Sequence, residues 1–193
     1  MNFNNHSKIK GCHAFLSASQ YHWINYTPEK LRTTFNNKMM AAKGTELHDL
    51  AEKLIRQKVK LPDTNKTLNS YVNDAIGYGM TPEQIVFVSE NCFGTVDALY
   101  FDERRKFLRI HDLKTGIIPA KITQLIIYAA MFCIEYNYRP AELDIELRIY
   151  QNDEIEILTS DDEEIDLYEY IEDIMGTIKE FDILLKEMKA EVM

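Results

Sequence analysis

Apolar residues recur at helical spacing at Met40, Leu47, Leu50, Ala51, Leu54 and Ile55, which predicts a helix over 39–59 that stops at Pro62-Asp63. Upstream, 17–26 is rich in aromatic residues, and Thr27-Pro28-Glu29 reads as a helix entry. A second helix is predicted over 68–78, ended by Gly77-Tyr78-Gly79, and Thr81-Pro82-Glu83-Gln84 reads as a turn. The pattern then shortens to alternation. It predicts a strand over 85–89 and two more over 94–101 and 106–113, joined by a hairpin at Asp102-Glu103-Arg104-Arg105. A long apolar helix over 119–138 follows, then a strand over 143–150 that turns at Asn152-Asp153 into 154–158. The last segment, 162–192, carries Ile165, Tyr168, Ile171, Ile174, Ile178, Phe181, Leu184, Leu185 and Met188 three and four apart. It reads as an amphipathic helix whose acidic first turn suits the helix dipole, with either a packed stripe or a docking face for another subunit.

Strands separated by a helix long enough to cross between parallel neighbours indicate an α/β sandwich with a mixed sheet. The 193 residues fit one domain, 1–193, with ample apolar content for a core. No apolar run approaches the ~18 residues that span a bilayer, and the N-terminus lacks a secretory signal, so a cytoplasmic protein without membrane partners is expected. Cys12, Cys92 and Cys133 are widely spaced and form no CxxC pair, which suits buried or idle thiols.

The formal net charge of −9 disfavours a polyanionic partner until its distribution is considered. Up to Tyr138 there are 17 Lys and Arg against 13 Asp and Glu; from Arg139 onward there are 5 against 18. The acidity lies in the tail, and the part that holds the candidate chemistry is mildly basic.

That chemistry centres on GTVDALYFDERRKFLRIHDLKTG, residues 94–116. Strand alternation puts Leu108, Ile110, Asp112 and Lys114 on one face, with His111 and Leu113 on the other. A carboxylate and a lysine two apart at a strand end, opposite Asp97 on the paired strand, suit phosphodiester hydrolysis. The carboxylates can hold a hard divalent cation, and the lysine can stabilise developing negative charge. His48 could add a nitrogen ligand if its helix packs beside these strands. Gln124 and Tyr128, four apart, share a face of the next helix.

Gly44-x-x-x-His48, Gly94-x-x-Asp97, Asp112-Leu113-Lys114-Thr115-Gly116 and Gln124-x-x-x-Tyr128, in that order, resemble the RecB-like branch of the PD-(D/E)XK nucleases. The match covers residues 44–128. The resemblance implies a three-layer, restriction-endonuclease-like α/β core with a mixed central sheet flanked by helices and the amphipathic C-terminal helix. It implies that His48, Asp97, Asp112 and the Leu113 carbonyl hold Mg2+ or Mn2+, that Lys114 is catalytic beside Asp97 and Asp112, and that Gln124 and Tyr128 form an added site motif. Glu90 lies where some relatives keep a further acid. Relatives with an iron-sulfur cluster use three cysteines near the C-terminus, and this chain has none after Cys133, so no cluster is expected.

The expectation is a metal-dependent deoxyribonuclease, an exonuclease acting on DNA ends or single strands in phage or bacterial recombination and repair, in the host cytoplasm if phage-encoded. The alternative is a non-catalytic nucleic-acid-binding or assembly subunit with the same fold. Without a GxxxxGK[ST] loop the chain cannot unwind duplex by ATP hydrolysis, so it needs ends, flaps, single strands or a recombination partner; a homo-oligomer enclosing DNA is one arrangement. Candidate DNA contacts are Lys38, Lys43, Lys53, Arg104, Arg105 and Lys121, with Tyr21 and Trp23 for stacking.

Overall fold

The computed structural model describes residues 14–16 and 18–192. Its contacts gather into two units that divide between Lys43 and Gly44. In the first, a 3-10 helix, Ala18–Asn25, leads into the long helix α1, Pro28–Gln57, whose residues from Gly44 onward belong to the second unit. Thr27 Oγ1 accepts the Lys30 N–H at 3.2 Å and Pro28 opens the helix, so the predicted entry is used. The helix therefore starts earlier than the apolar pattern of 39–59 suggests. Phe35 meets the Phe15 ring edge-on, with centroids 5.4 Å apart.

The second unit is built on five strands, β1 (Thr81–Ser89), β2 (Cys92–Asp102), β3 (Phe107–Leu113), β4 (Asp144–Gln151) and β5 (Glu154–Thr159), ordered in space as in sequence. Only β3 and β4 are parallel; the other neighbours are antiparallel. Helix α2 (Thr67–Gly77) precedes the sheet, α3 (Thr123–Tyr136) is the crossover between β3 and β4, and α4 (Leu167–Val192) follows β5. Both faces of the sheet are covered. On one, Leu108, Ile110 and Leu147 pack with Leu125, Ala129 and Phe132 of α3 and with Leu167 and Ile171 of α4. On the other, Ala98, Leu113 and Tyr150 pack with Ala51 and Ile55 of α1 and with Tyr71, Val72 and Ala75 of α2. The expected α/β class and mixed sheet are present.

Several boundaries depart from the sequence reading. Thr81-Pro82-Glu83-Gln84 is the start of β1 and not a turn. Proline is tolerated there because β1 is an edge strand, and Glu83 takes a left-handed conformation at φ 51°. Helix α3 begins at Thr123, after an irregular 114–122 loop, and ends against Asn137 at φ 57°, a left-handed cap. Helix α4 begins at Leu167, and its apolar stripe is only half used. Leu167 and Ile171 are buried and Ile174 and Ile178 are packed, whereas Phe181, Leu184, Leu185 and Met188 remain exposed.

Polar anchors join helices to strands. The Asp153 carboxylate, in the β4–β5 turn, accepts the N–H and hydroxyl of Thr67 and pairs with Lys66, capping the first turn of α2 from a distance in sequence. Asp74 of α2 accepts the Tyr150 hydroxyl at 2.7 Å and lies 3.4 Å from Arg148, while Glu146 bridges Arg109 and Arg148. Asp182 of α4 accepts from Ser89 and Asn91 beside the β1–β2 turn.

His111 lies among these groups with no exposed surface, and neither ring nitrogen has a hydrogen-bond partner. Its ring packs edge-on to Tyr78 and tilted against Tyr150. Burial, reinforced by Arg148 and Arg109, pushes its pKa from 6.5 down to about 2, so it folds as the neutral imidazole. The unfolded chain takes up a proton near pH 6.5 that the folded chain refuses. The resulting stability is complete above that pH and is lost as the pH falls toward the folded value. In urea unfolding below about pH 6, His111 is expected to remove up to about 1.4 kcal/mol per pH unit, and His111→Phe should flatten that slope. Parallel slopes for the two proteins between about pH 6.5 and 4.5 would refute a neutral buried imidazole.

Candidate metal centre

The β2–β3 ladder runs from Asp102↔Phe107 to Ala98↔His111 and stops there. One residue further, the Asp97 carboxylate replaces the backbone acceptor, and its Oδ2 accepts the Leu113 N–H at 2.8 Å. β3 meanwhile stays paired with β4 as far as Leu113↔Tyr150, and the Lys114 N–H reaches the Tyr150 carbonyl at 2.9 Å. Asp97, Asp112 and Lys114 are thereby gathered where two strands part.

Asp112 is 2 % exposed. The Lys114 ammonium lies 3.0 Å from Oδ1, to which it donates, and 2.9 Å from Oδ2, which has no aligned hydrogen bond of its own. Lys114 donates also to Gln124 Oε1 at 2.8 Å, and Gln124 Nε2 lies 3.4 Å from the Tyr128 hydroxyl. The two residues that share a helix face therefore form a chain ending on the lysine. Burial, then Asp97, raise the Asp112 pKa, and Lys114 opposes them.

Two of the three motif glycines, Gly44 and Gly94, sit at close approaches. A Cβ on Gly94 would come within 2.9 Å of the Tyr128 ring, and one on Gly44 within 2.7 Å of Thr115 Oγ1. Gly44 is buried, and its bare backbone lets α1 lie against the segment after Lys114. One turn on, His48 Nδ1 stands 3.4 Å from Asp97 Oδ2. That contact raises the His48 pKa against the opposing effect of burial, with Asp112 and Glu83 adding to the rise.

Glu83 was not among the expected site residues. It lies opposite Asp97, between the pairs Pro82↔Ala98 and Gln84↔Val96, and one ligand atom each from His48, Glu83 and Asp97 fall within 4.8 Å of one another. Burial, then Asp97, raise its pKa. Glu90, the expected further acid, is exposed in the β1–β2 turn at the other end of the hairpin. A two-residue turn at Glu90-Asn91 alone would bring Gln84 level with Asp97; the irregularity between Phe87 and Ser89 shifts the register by one residue and puts Glu83 there, which no sequence pattern signals.

Of the expected ligands, His48 and Asp97 group with Glu83, Asp112 pairs with Lys114, and Leu113 is buried and donates its N–H to Asp97. Three carboxylates face one ammonium and one imidazole, a donor set short of positive charge. That set fits a hard divalent cation held through oxygen and one nitrogen. A cleft of about 210 Å³ beside Lys114 is lined by Leu47, Thr67, Leu68, Thr115, Gly116 and Asn152.

The other expected contacts are scattered. Arg104 and Arg105 occupy the β2–β3 turn, about 17 Å along the strand from Asp97, too far to serve the same phosphate. Lys53 and Lys121 are exposed in the unit that holds the site; Lys38 and Lys43 are exposed in the first unit, where Trp23 is half-buried. The Tyr21 side chain and Cys12 lie outside the described residues. Cys133 is buried, its thiol pushed up to about 12, and Cys92 is half-buried. Among the described residues no helix is long and apolar enough to cross a membrane.

In calorimetric titration with Mn2+, Glu83→Ala and Asp97→Ala are each expected to weaken binding by about tenfold or more, as loss of a ligand does, whereas Glu90→Ala should bind as the parent does. Equal affinity in the parent and the Glu83 variant would remove Glu83 from the centre.

Comparison with protein families, with curated proteins and with solved structures finds no match to this chain.

Proposed function

We propose that the chain is a divalent-metal-dependent nuclease of the PD-(D/E)XK kind that hydrolyses phosphodiester bonds in DNA. The observation that carries this reading is the placement of Lys114 between Asp112 and Gln124, next to the strand ends that bring Asp97 up to His48 and Glu83. Acyl or glycosyl transfer would call for a nucleophile with its base, or for two spaced carboxyls alone. A lysine fixed beside several carboxylates suits an anionic substrate whose charge grows in the transition state.

His48, Glu83, Asp97 and the Asp112 carboxylate, which Lys114 also pairs with, are the groups that would hold Mg2+ or Mn2+. Bound there, the cation would supply Lewis acidity at a phosphoryl oxygen and a nucleophile at neutral pH. Lys114 directs its positive charge at the phosphate, and its two acceptors keep the ammonium from swinging into solvent. Gln124 and Tyr128 are positioning residues: the Gln124 amide fixes Lys114, and the Tyr128 ring is seated in the space that Gly94 leaves. Leu113 positions Asp97 through its N–H. DNA ends or single strands are the substrates that a chain without an ATP-binding loop can reach unaided.

The test is degradation of end-labelled linear, nicked and circular DNA with Mg2+ or Mn2+ by the parent and by Asp112→Ala and Lys114→Ala. Each substitution should lower the rate by about a hundredfold or more. Digestion of linear but not circular DNA marks an exonuclease. No metal-dependent cleavage, or equal rates in the variants, would overturn the reading.

A further inference from the structure

Ile117 and Ile118 are the two most exposed large apolar side chains among the described residues, at 80 % and 82 %. They stand on the loop between Lys114 and α3, and that loop is not left to find its own shape. The Gln151 amide donates to the carbonyls of Gly116 at 2.5 Å and Ile118 at 2.8 Å, and its oxygen accepts the Ala120 N–H at 2.8 Å. Asn152 donates to the Ile117 carbonyl at 3.3 Å. Four bonds from one strand end thus fix the backbone under two isoleucines that bury almost nothing. Apolar side chains held out in water on a fixed support suit a partner that offers an apolar surface.

The position of the loop says which partner. Ile117 follows Lys114 by three residues, so their Cα atoms lie within about 11 Å. Lys121, exposed, follows three residues after Ile118. A nucleic-acid strand with its phosphate at Lys114 has its neighbouring bases within that distance, and base faces are the apolar surface such a strand carries. Isoleucine is among the side chains that wedge between base steps and unstack them.

We propose that Ile117 and Ile118 form a preset apolar wedge that stacks on the last pair of a duplex end and parts it, so that one strand reaches Lys114 unpaired. The wedge rests on the nuclease reading and adds to it the form of DNA admitted. Gln151 is its positioning residue: it touches neither strand and acts by holding the loop in shape.

Cleavage rates on a blunt duplex, on the same duplex with mismatched terminal pairs, and on the single strand test it in the full chain with Mg2+. For the double variant Ile117→Ser, Ile118→Ser, the ratio of blunt-duplex to single-strand rate is expected to fall about tenfold or more, and the mismatched end should restore most of it. Gln151→Ala should move the ratio in the same direction by less. An unchanged ratio, or a loss that the mismatched end does not rescue, overturns the wedge and leaves the nuclease reading intact. So does a parent protein that cuts single strands but no blunt duplex. A parent that cuts neither with metal removes both.

Discussion

The hydrogen bond from the Leu113 N–H to the Asp97 carboxylate, at 2.8 Å, stands at the one place where the sheet changes partners. The β2–β3 ladder has ended, and the N–H would otherwise lie without an acceptor in a buried strand end. Supplying that acceptor from a side chain leaves Asp97 with one committed oxygen and a fixed orientation. It also lets β3 continue beside β4 alone, which carries Asp112 and Lys114 past the end of β2. His48 and Glu83 stand around the Asp97 so held, and Gln124 meets Lys114 beyond the strand end.

Close packing around the site depends on two residues that have no side chain. Gly44 admits Thr115 and Gly94 admits the Tyr128 ring, at distances a Cβ would occupy. These glycines act through space and not through unusual backbone angles. One sets how near a helix comes to the strand end; the other seats the aromatic end of the chain that holds Lys114.

The β4–β5 turn serves several elements at once. Gln151 and Asn152 hold the 116–120 loop, and Asp153, next in sequence, caps α2. Asn152 and Asp153 both have positive φ, at 53° and 63°, the conformation a tight hairpin requires. This two-residue turn and the strand residue before it thus aim three neighbouring polar side chains at two different segments, the 116–120 loop and α2. At the centre, burial and then the Asp97 charge raise the pKa values of Glu83 and Asp112, whereas the Asp97 contact raises that of His48 against burial.

The amino-acid sequence by itself determined whatever depends on neighbours along the chain. Alternation put Asp112 on the face of Leu108 and Ile110, helical spacing put Gln124 beside Tyr128, and a long apolar helix between two strands required the parallel β3–β4 pair. Only the tertiary structure decided what depends on register and approach. Glu83 was hidden because it follows a proline that only an edge strand tolerates, and its place opposite Asp97 depends on the register shift between Phe87 and Ser89. The contact between His48 and Asp97 depends on how closely α1 lies to Thr115, and the turning of Asp112 toward Lys114 on the balance between a buried carboxylate and its nearest cation. Periodicity is a local property of the backbone, whereas those placements are set by contacts between residues far apart in the chain, which no repeat of three or two residues encodes.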